Sequence, residues 1–382
     1  MTQFKAAHGS GRNWQSACDA ALAALGPMDT RFTLGFVYIN DPIGGDLAAV
    51  LERLRAASGI ADWVGAVGFG VCGLTPAASE GPQGEAHGVE LFERPSVALL
   101  VGDVPREDYR IFTVGDEFDG FVAEDRAWIE AEQPQIIVVH ANSHNPKVVE
   151  LVSRLAEDSG AFLVGGMASI VSRRNQIAGR VVSGGASGVM FSSRVAVATG
   201  LSQGSAPLGE AHQITSARGN VLITLDGKRA IDVLMEDVGC DTEEQLHRLA
   251  GHVNAALLVP GSDTGDYVVR NLVGIDMQRG LVAIGDMIEP GGRLMFCGCG
   301  QDAAVRDLRR MVSQLAQRSG PPSGALYFSC VARGPNLFGP NAEEVKLLRE
   351  GMGAVPMAGF YANGEISNNR LYGYTGVLAV FR

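Results

Sequence analysis

Residues 136–166 read IIVVHANSHNPKVVELVSRLAEDSGAFLVGG, and their pattern sets the fold class. Ile136–His140 is a short apolar run with the length and β-branched content of a buried strand. From Pro146 to Ala156, PKVVELVSRLA spaces its apolar residues as a helix does. Its proline falls in the first turn, where a missing N–H breaks no helical hydrogen bond. Phe162–Gly166, FLVGG, is a second strand. Strand, helix and strand within about thirty residues is the size of a βαβ unit.

The same order occurs twice more. Thr33–Asn40 (TLGFVYIN) reads as a strand, and Asp46–Ala57 as a helix through Leu47, Val50, Leu51 and Leu54. Trp63–Gly70 is the glycine-bearing strand of that copy. In the third copy the strand is Ala325–Cys330 (ALYFSC), the helix Ala342–Glu350, and the second strand Ala354–Tyr361. Each unit then crosses a polar loop to further strands: Gly88–Phe92 with Val97–Val101, Gly185–Ala198, and Gly376–Phe381. FLVGGMAS resembles VPMAGFYA, and GASGVMFSS resembles GYTGVLAVF. This reads as a weak internal repeat. The alternative is that βαβ units resemble one another by physics alone.

Around these units, Ser16–Leu25 reads as a helix with Ser16 as N-cap, stopped by Gly26-Pro27. Ala211–Asn220 is polar without apolar periodicity, the pattern of a domain boundary. Beyond it come a strand at Val221–Leu225 and a helix at Lys228–Glu236. Short strands separated by glycine turns between Ala255 and Phe296 read as an antiparallel meander. Asp302–Leu315 reads as an amphipathic helix with Asp302 as N-cap. The expected architecture is mixed α/β in two related halves. Each is a multi-stranded mixed sheet with flanking helices, and the sheets pack face to face. The expected divisions are an N-terminal helical segment (1–29) and domains at 30–220 and 221–382.

Composition bounds the function. The 382 residues are 46% hydrophobic and 19% charged, which excludes a disordered chain. The 50 glycines follow no Gly-X-Y period, which excludes collagen. Net charge is −11, and no Lys/Arg cluster tracks phosphates, so no nucleic-acid partner is expected. The longest uncharged run, Trp63–Ser79, is too short and too rich in Gly and Pro for a membrane span. The opening MTQFKAAHGSGRNW lacks the apolar core of a signal peptide. Six cysteines show no disulfide spacing, and the expectation is a soluble cytoplasmic protein with reduced thiols.

Motifs for chemistry are few. Gly68–Gly73 matches G-x-G-x-x-G after a strand, but Pro76 and Pro82 deny it the helix a dinucleotide site needs. P-loop, G-x-S-x-G, H-E-x-x-H and C-x-x-C patterns do not occur. His140 ends a strand and His144 follows in the loop at its C-terminal end, either as ligands or as structural histidines. Cys297, Cys299 and Cys330 offer three soft metal ligands without a fixed fourth. Cys330 beside Arg333 is either a reactive thiol or an inert buried one. Arg333 among glycines suits an anion. Arg270 and Asp276 flank a strand, as ligand contacts, an ion pair or solvated charges. Glu365, in FYANGEISNN, faces either a ligand amine or a backbone N–H.

The ordered series VGAVGFGVCG, FLVGGMAS, TGLSQGSAPLG, GNVLITLDGKRAIDVL, YVVRNLVGID, ALYFSCVARG, VPMAGFYANGEI and GYTGVLAVF resembles the FIST family of two-part sensory proteins. The chain departs from that family at Phe69–Cys72, where small hydroxyl residues are usual. The resemblance implies a ligand-sensing module for small molecules such as amino acids. With no fused output domain, it would signal through a separate partner. Some standalone members are haem-based nitric-oxide sensors, which would require His140 or His144 as axial ligand. Carried onto this sequence, Gly165, Gly166 and Ser169 form a backbone-lined wall. Arg270, Asp276, Cys330, Arg333, Gly334 and Glu365 form a polar rim. Arg333 facing Glu365 would hold a zwitterion. No catalytic constellation appears, and an enzyme using Cys330 as nucleophile is the remaining alternative.

Overall fold

The computed structural model describes residues 2–40, 42, 46–76, 87–117, 120–169, 175–259 and 267–382. The chain forms two compact units, Met1–Gln203 with Asp307–Arg382, and Gly204–Arg306.

The first unit contains three six-stranded sheets. From edge to edge, the first sheet runs Phe4–Ser10, Ser96–Gly102, Leu34–Asn40, Asp62–Gly68, Gln176–Ala178 and Val181–Val182. The second runs Tyr109–Val114, Ala186–Phe191, Ile136–Ala141, Phe162–Met167, Glu365–Ser367 and Arg370–Tyr372. The third runs Val197–Gln203, Thr375–Phe381, Gly324–Cys330, Met357–Ala362, Gly70–Thr75 and His87–Leu91. In every sheet the two middle strands are parallel and all other pairs antiparallel. The internal repeat is therefore physical: one pattern is built three times. The last two strands of each sheet come from a different copy. The first copy supplies them to the third sheet, the second to the first, and the third to the second.

The parallel pairs are joined by the helices Leu47–Ser58, Val148–Ser159 and Glu343–Met352. Their buried stripes correspond: Leu47, Val50 and Leu51 in one, Val148, Leu151 and Val152 in the next, Glu344, Leu347 and Leu348 in the third. The inner faces of all three sheets share one core, including Phe36, Tyr38, Val138, Val164, Phe328 and Phe360.

A close approach explains the glycine in each second strand. A Cβ on Gly65, Gly165 or Gly359 would lie 1.7, 1.8 or 1.8 Å from the carbonyl oxygen of Val37, Val139 or Tyr327. These are the residues directly opposite on the parallel neighbour.

The second unit contains Ser205–Pro207 and a barrel-like sheet. Around the barrel the strands run Arg293–Cys299, His212–Arg218, Val221–Leu225, Leu281–Ile284, Tyr267–Asp276 and Val253–Leu258, and the last pairs back to the first. Helix Ala230–Val238 contributes Ile231, Val233 and Leu234 to its core. In chain order this unit is inserted into the third copy, after its edge strand.

Several expectations change. The polar stretch read as a boundary is a barrel strand, His212–Arg218; its apolar signal is weak because only Ile214 is fully buried there. The segment 1–29 opens with an edge strand, Phe4–Ser10, whose FKAAHGS lacks β-branched residues. Residues 307–382 form one compact unit with residues 1–203, a grouping by compactness that is distinct from the expected sequence division at 220/221. Helix Trp14–Leu25 is capped by Asn13; Ser16 sits inside, its N–H donating to Asn13 Oδ1 at 2.9 Å. Asp302 lies within helix Gln301–Ser319 rather than capping it. Gly185–Ala198 divides into two strands, Ala186–Phe191 and Val197–Gln203. Gly70–Thr75 is a strand, so Gly68–Gly73 does not open a helix. Among the described residues, no helix is long and apolar enough to cross a membrane.

Candidate functional site

Strand register brings Tyr38, His140 and Phe328 to equivalent positions in the three copies. They are paired with Ala66, Gly166 and Phe360. Their rings meet in the shared core, with centroids 5.6 Å apart for Tyr38 and His140, 6.0 Å for Tyr38 and Phe328, and 6.4 Å for His140 and Phe328. His140 Nε2 lies 3.3 Å from Tyr38 Oη, and Nδ1 has no hydrogen-bond partner. Complete burial pushes the imidazole down to about 3, so it is neutral. His144 is exposed and turned toward Asn142 Oδ1, 3.3 Å from its Nδ1. These residues do not fit haem. Tyr38, Phe328 and Phe360 occupy the space around His140 that a macrocycle would need, and the surface His144 lies in no described cleft.

One strand further across, Glu365 pairs with Gly166. The corresponding position in the first sheet is Gln176, opposite Ala66. Both side chains are fully buried. Gln176 accepts from Ser187 Oγ at 2.6 Å and donates to Gly184 O at 3.3 Å. Glu365 Oε2 accepts from Thr375 N at 3.2 Å and Thr375 Oγ1 at 2.8 Å, and Oε1 from Gly364 N at 3.3 Å. Burial outweighs these bonds and pushes its carboxyl up to about 8. At neutral pH it is a protonated acid at the C-terminal end of the sheet, where α/β folds receive ligands. Gly165 and Gly166 line the same place. Ser169 is buried, its N–H donating to Val67 O at 2.7 Å, so it ties the second copy to the first.

The outer face of the third sheet is built differently. Arg333 Nε lies 2.7 Å from Glu344 Oε1, with both side chains 0% exposed. Glu344 also accepts from Tyr327 Oη at 2.7 Å, Ser329 Oγ at 3.1 Å and Gly334 N at 3.0 Å. Arg333 stacks on Phe338, 5.0 Å from its centroid. The expected pair of Arg333 with Glu365 is thus replaced. The acid that balances Arg333 is Glu344, and Glu365 takes only hydroxyl and amide donors. Glu90 Oε1 accepts from Val345 N at 3.1 Å, while Oε2 has no partner. Burial and the charge of Glu344 push Glu90 up to about 7.

The other two copies hold apolar residues at these positions. Tyr327 corresponds to Val37 and Val139, Ser329 to Ile39 and Ala141, Tyr361 to Val67 and Met167, and Glu344 to Leu47 and Val148. A buried polar layer where the sister copies bury hydrocarbon departs from the local packing rule, as functional sites do. Sequence reading missed Glu344, Glu90, Tyr327, Tyr361, Thr375 and Gln176. A signal existed for Glu344, an acid on the apolar stripe of its helix.

Cys330 is buried, and burial followed by the charge of Glu365 pushes its thiol up to about 12. A nucleophile needs the reverse. Iodoacetamide at neutral pH is expected to label Cys330 at least about a thousandfold more slowly in native than in unfolded protein. Labelling at comparable rates, read by peptide mass spectrometry, would contradict that.

The remaining rim residues lie in the second unit. Arg270 pairs with Asp286, Nε to Oδ2 at 2.7 Å, and not with Asp276, which accepts from Arg279 N at 2.9 Å. Cys297 is buried in that unit, and the side chain of Cys299 lies outside the described residues. Among the described residues, no group of three or more His, Cys, Asp or Glu is arranged for a metal.

A FIST N domain model matches residues 33–228, and a FIST C domain model matches residues 230–368. An uncharacterized protein of Mycobacterium tuberculosis is 34% identical over 309 residues, covering 76% of this chain and 79% of its own. An uncharacterized protein of Mycobacterium bovis is 34% identical over 194 residues, 47% of this chain and 49% of its own.

Proposed function

The chain belongs to the FIST family, whose domains are sensory and serve signal transduction, and from that premise we propose that it binds a small amine-bearing, amino-acid-like ligand beside Glu365. The signal passes to a separate partner protein. The observation that carries this reading is a fully buried carboxyl, without a direct cationic partner, where strands of the second and third copies meet. An ammonium group is the chemical complement of that acid. Binding it ionises Glu365 and releases the proton to solvent. Gly165, Gly166, Ser169 and Cys330 supply the surrounding wall. Arg333 contributes through its field, since its own hydrogen bonds are filled by the protein.

The test is a thermal-shift screen of amino acids and simple amines near pH 8. At a ligand concentration about a hundred times Kd, the expected stabilisation is about 2.7 kcal/mol, a rise of several degrees in Tm. Glu365→Gln is expected to fold and to show no shift. Equal shifts in both proteins would sink the role of Glu365.

The same variant carries a pH signature. A carboxyl raised from an ordinary 4.5 to about 8 in the fold keeps its proton when the unfolded chain has lost it. Across that window the native state binds more protons, so Glu365 makes stability fall as pH rises, with the full penalty reached above about 8. Glu365→Gln removes that contribution, and urea titrations at several pH values are expected to show the variant overtaking the wild type on the alkaline side.

A further inference from the structure

We propose that Tyr374 and Thr375 couple the Glu365 carboxyl to the Arg333–Glu344 pair, so that charge at Glu365 is read out at the N-terminus of helix Glu343–Met352. This deepens the sensory reading above, and rests on it for the ligand that supplies the charge.

Two adjacent residues touch both sites. Thr375 donates its N–H and its hydroxyl to Glu365 Oε2. The carbonyl of Tyr374 accepts from Arg333 Nη1 at 3.3 Å. Tyr374 has φ of 62°, a left-handed conformation that a tyrosine rarely adopts and that the surrounding structure must hold. From Arg333 the path continues to Glu344, in the first turn of the helix, and Gly334 N donates to the same carboxylate.

The other copies show why this helix is the responsive one. Helices Leu47–Ser58 and Val148–Ser159 are seated at the corresponding point by Leu47 and Val148, contacts that no charge can alter. Helix Glu343–Met352 is seated there by an ion pair. Its first turn also donates Val345 N to Glu90, a residue of the first copy. The charged and titratable groups around Glu365 are Arg333 and Cys330, together with Tyr372 directly opposite on the neighbouring strand and, in the same row beyond Gly166, the neutral His140. Those facing Glu344 are Arg333, Tyr327, Tyr361, Glu90 and Cys72. While Glu365 is neutral, Arg333 answers to Glu344 alone. Once Glu365 is ionised, it competes for the same cation in a water-poor interior, and the hold on the helix weakens.

Hydrogen exchange tests this with pH as the input, so a failed amino-acid screen leaves the test intact. After correction for intrinsic exchange, protection in the first turn of helix Glu343–Met352 is expected to fall about fivefold or more between about pH 6 and about pH 10. Helix Val148–Ser159 serves as internal reference. The fall is expected to vanish in Glu365→Gln and to persist in Glu90→Gln, the other raised acid of the cluster. No fall in the wild type overturns the proposal. So does an undiminished fall in Glu365→Gln.

Discussion

Arg333→Ala will lose about 3–5 kcal/mol of stability, because it leaves the Glu344 carboxylate buried without its counter-ion. The neighbouring Tyr327, Ser329 and Gly334 donors remain, but none carries charge. The loss exceeds what a surface ion pair contributes, about 0–1 kcal/mol, since both partners here are fully buried. Replacing both partners, Arg333→Met with Glu344→Leu, is expected to recover much of the loss, because two apolar side chains need no compensation. The sister copies already use Leu47 and Val148 where the third uses Glu344. Urea unfolding of the two single variants and the double variant gives the coupling energy. A double variant no more stable than Arg333→Ala would contradict this account. A loss of ligand binding in Arg333→Ala is therefore not separable from a loss of fold, which is why Glu365 carries the binding test.

Gly165→Ala and Gly359→Ala will each cost about 3 kcal/mol, at the upper end of overpacking. In each case the new Cβ would fall 1.8 Å from a carbonyl oxygen of the adjacent parallel strand. Backbone cannot yield as a side-chain tip does, so the strand must shift and the ladder with it. Gly160→Ala is the matched control. Gly160 has φ of +66° with nothing near its Cβ, so the change costs only the left-handed backbone penalty of about 1–2 kcal/mol. Gly165 also has φ of +155°, so Gly359, with no positive φ, is the clean comparison: a loss there no larger than at Gly160 would contradict contact as the cause.

Those glycines also mark how far sequence reading reached. The three βαβ units were readable because each is local: apolar runs, a helical stripe and a glycine-bearing strand lie within one short segment. The exchange of strand pairs between sheets was not, since Gln176–Ala178 and Glu365–Ser367 carry no mark naming the sheet they join. Strand His212–Arg218 was missed because Ile214 is its one fully buried residue, with only the small Ala217 also packed on the barrel core. Arg333 and Glu365 stood out as charges beside glycines, and both are buried at strand ends. Their pairing was misassigned because Glu344, though it falls on the apolar stripe of its helix, carries no mark in sequence naming Arg333 as its partner. Comparison across the copies would have exposed it, since the spacing of the buried helix residues sets Glu344 against Leu47 and Val148. Arg270 and Asp276 were grouped with the rim because they fall in a motif that resembles the family's, yet they belong to the inserted unit.

The most direct measurement of the central claim is calorimetric titration with amino acids and simple amines in buffers of different ionisation enthalpy. The account predicts saturable binding near neutral pH with release of close to one proton per ligand. Glu365→Gln is predicted to lose both binding and proton release. Binding that releases no proton, or that survives unchanged in Glu365→Gln, would contradict the assignment of Glu365 as the ligand's partner.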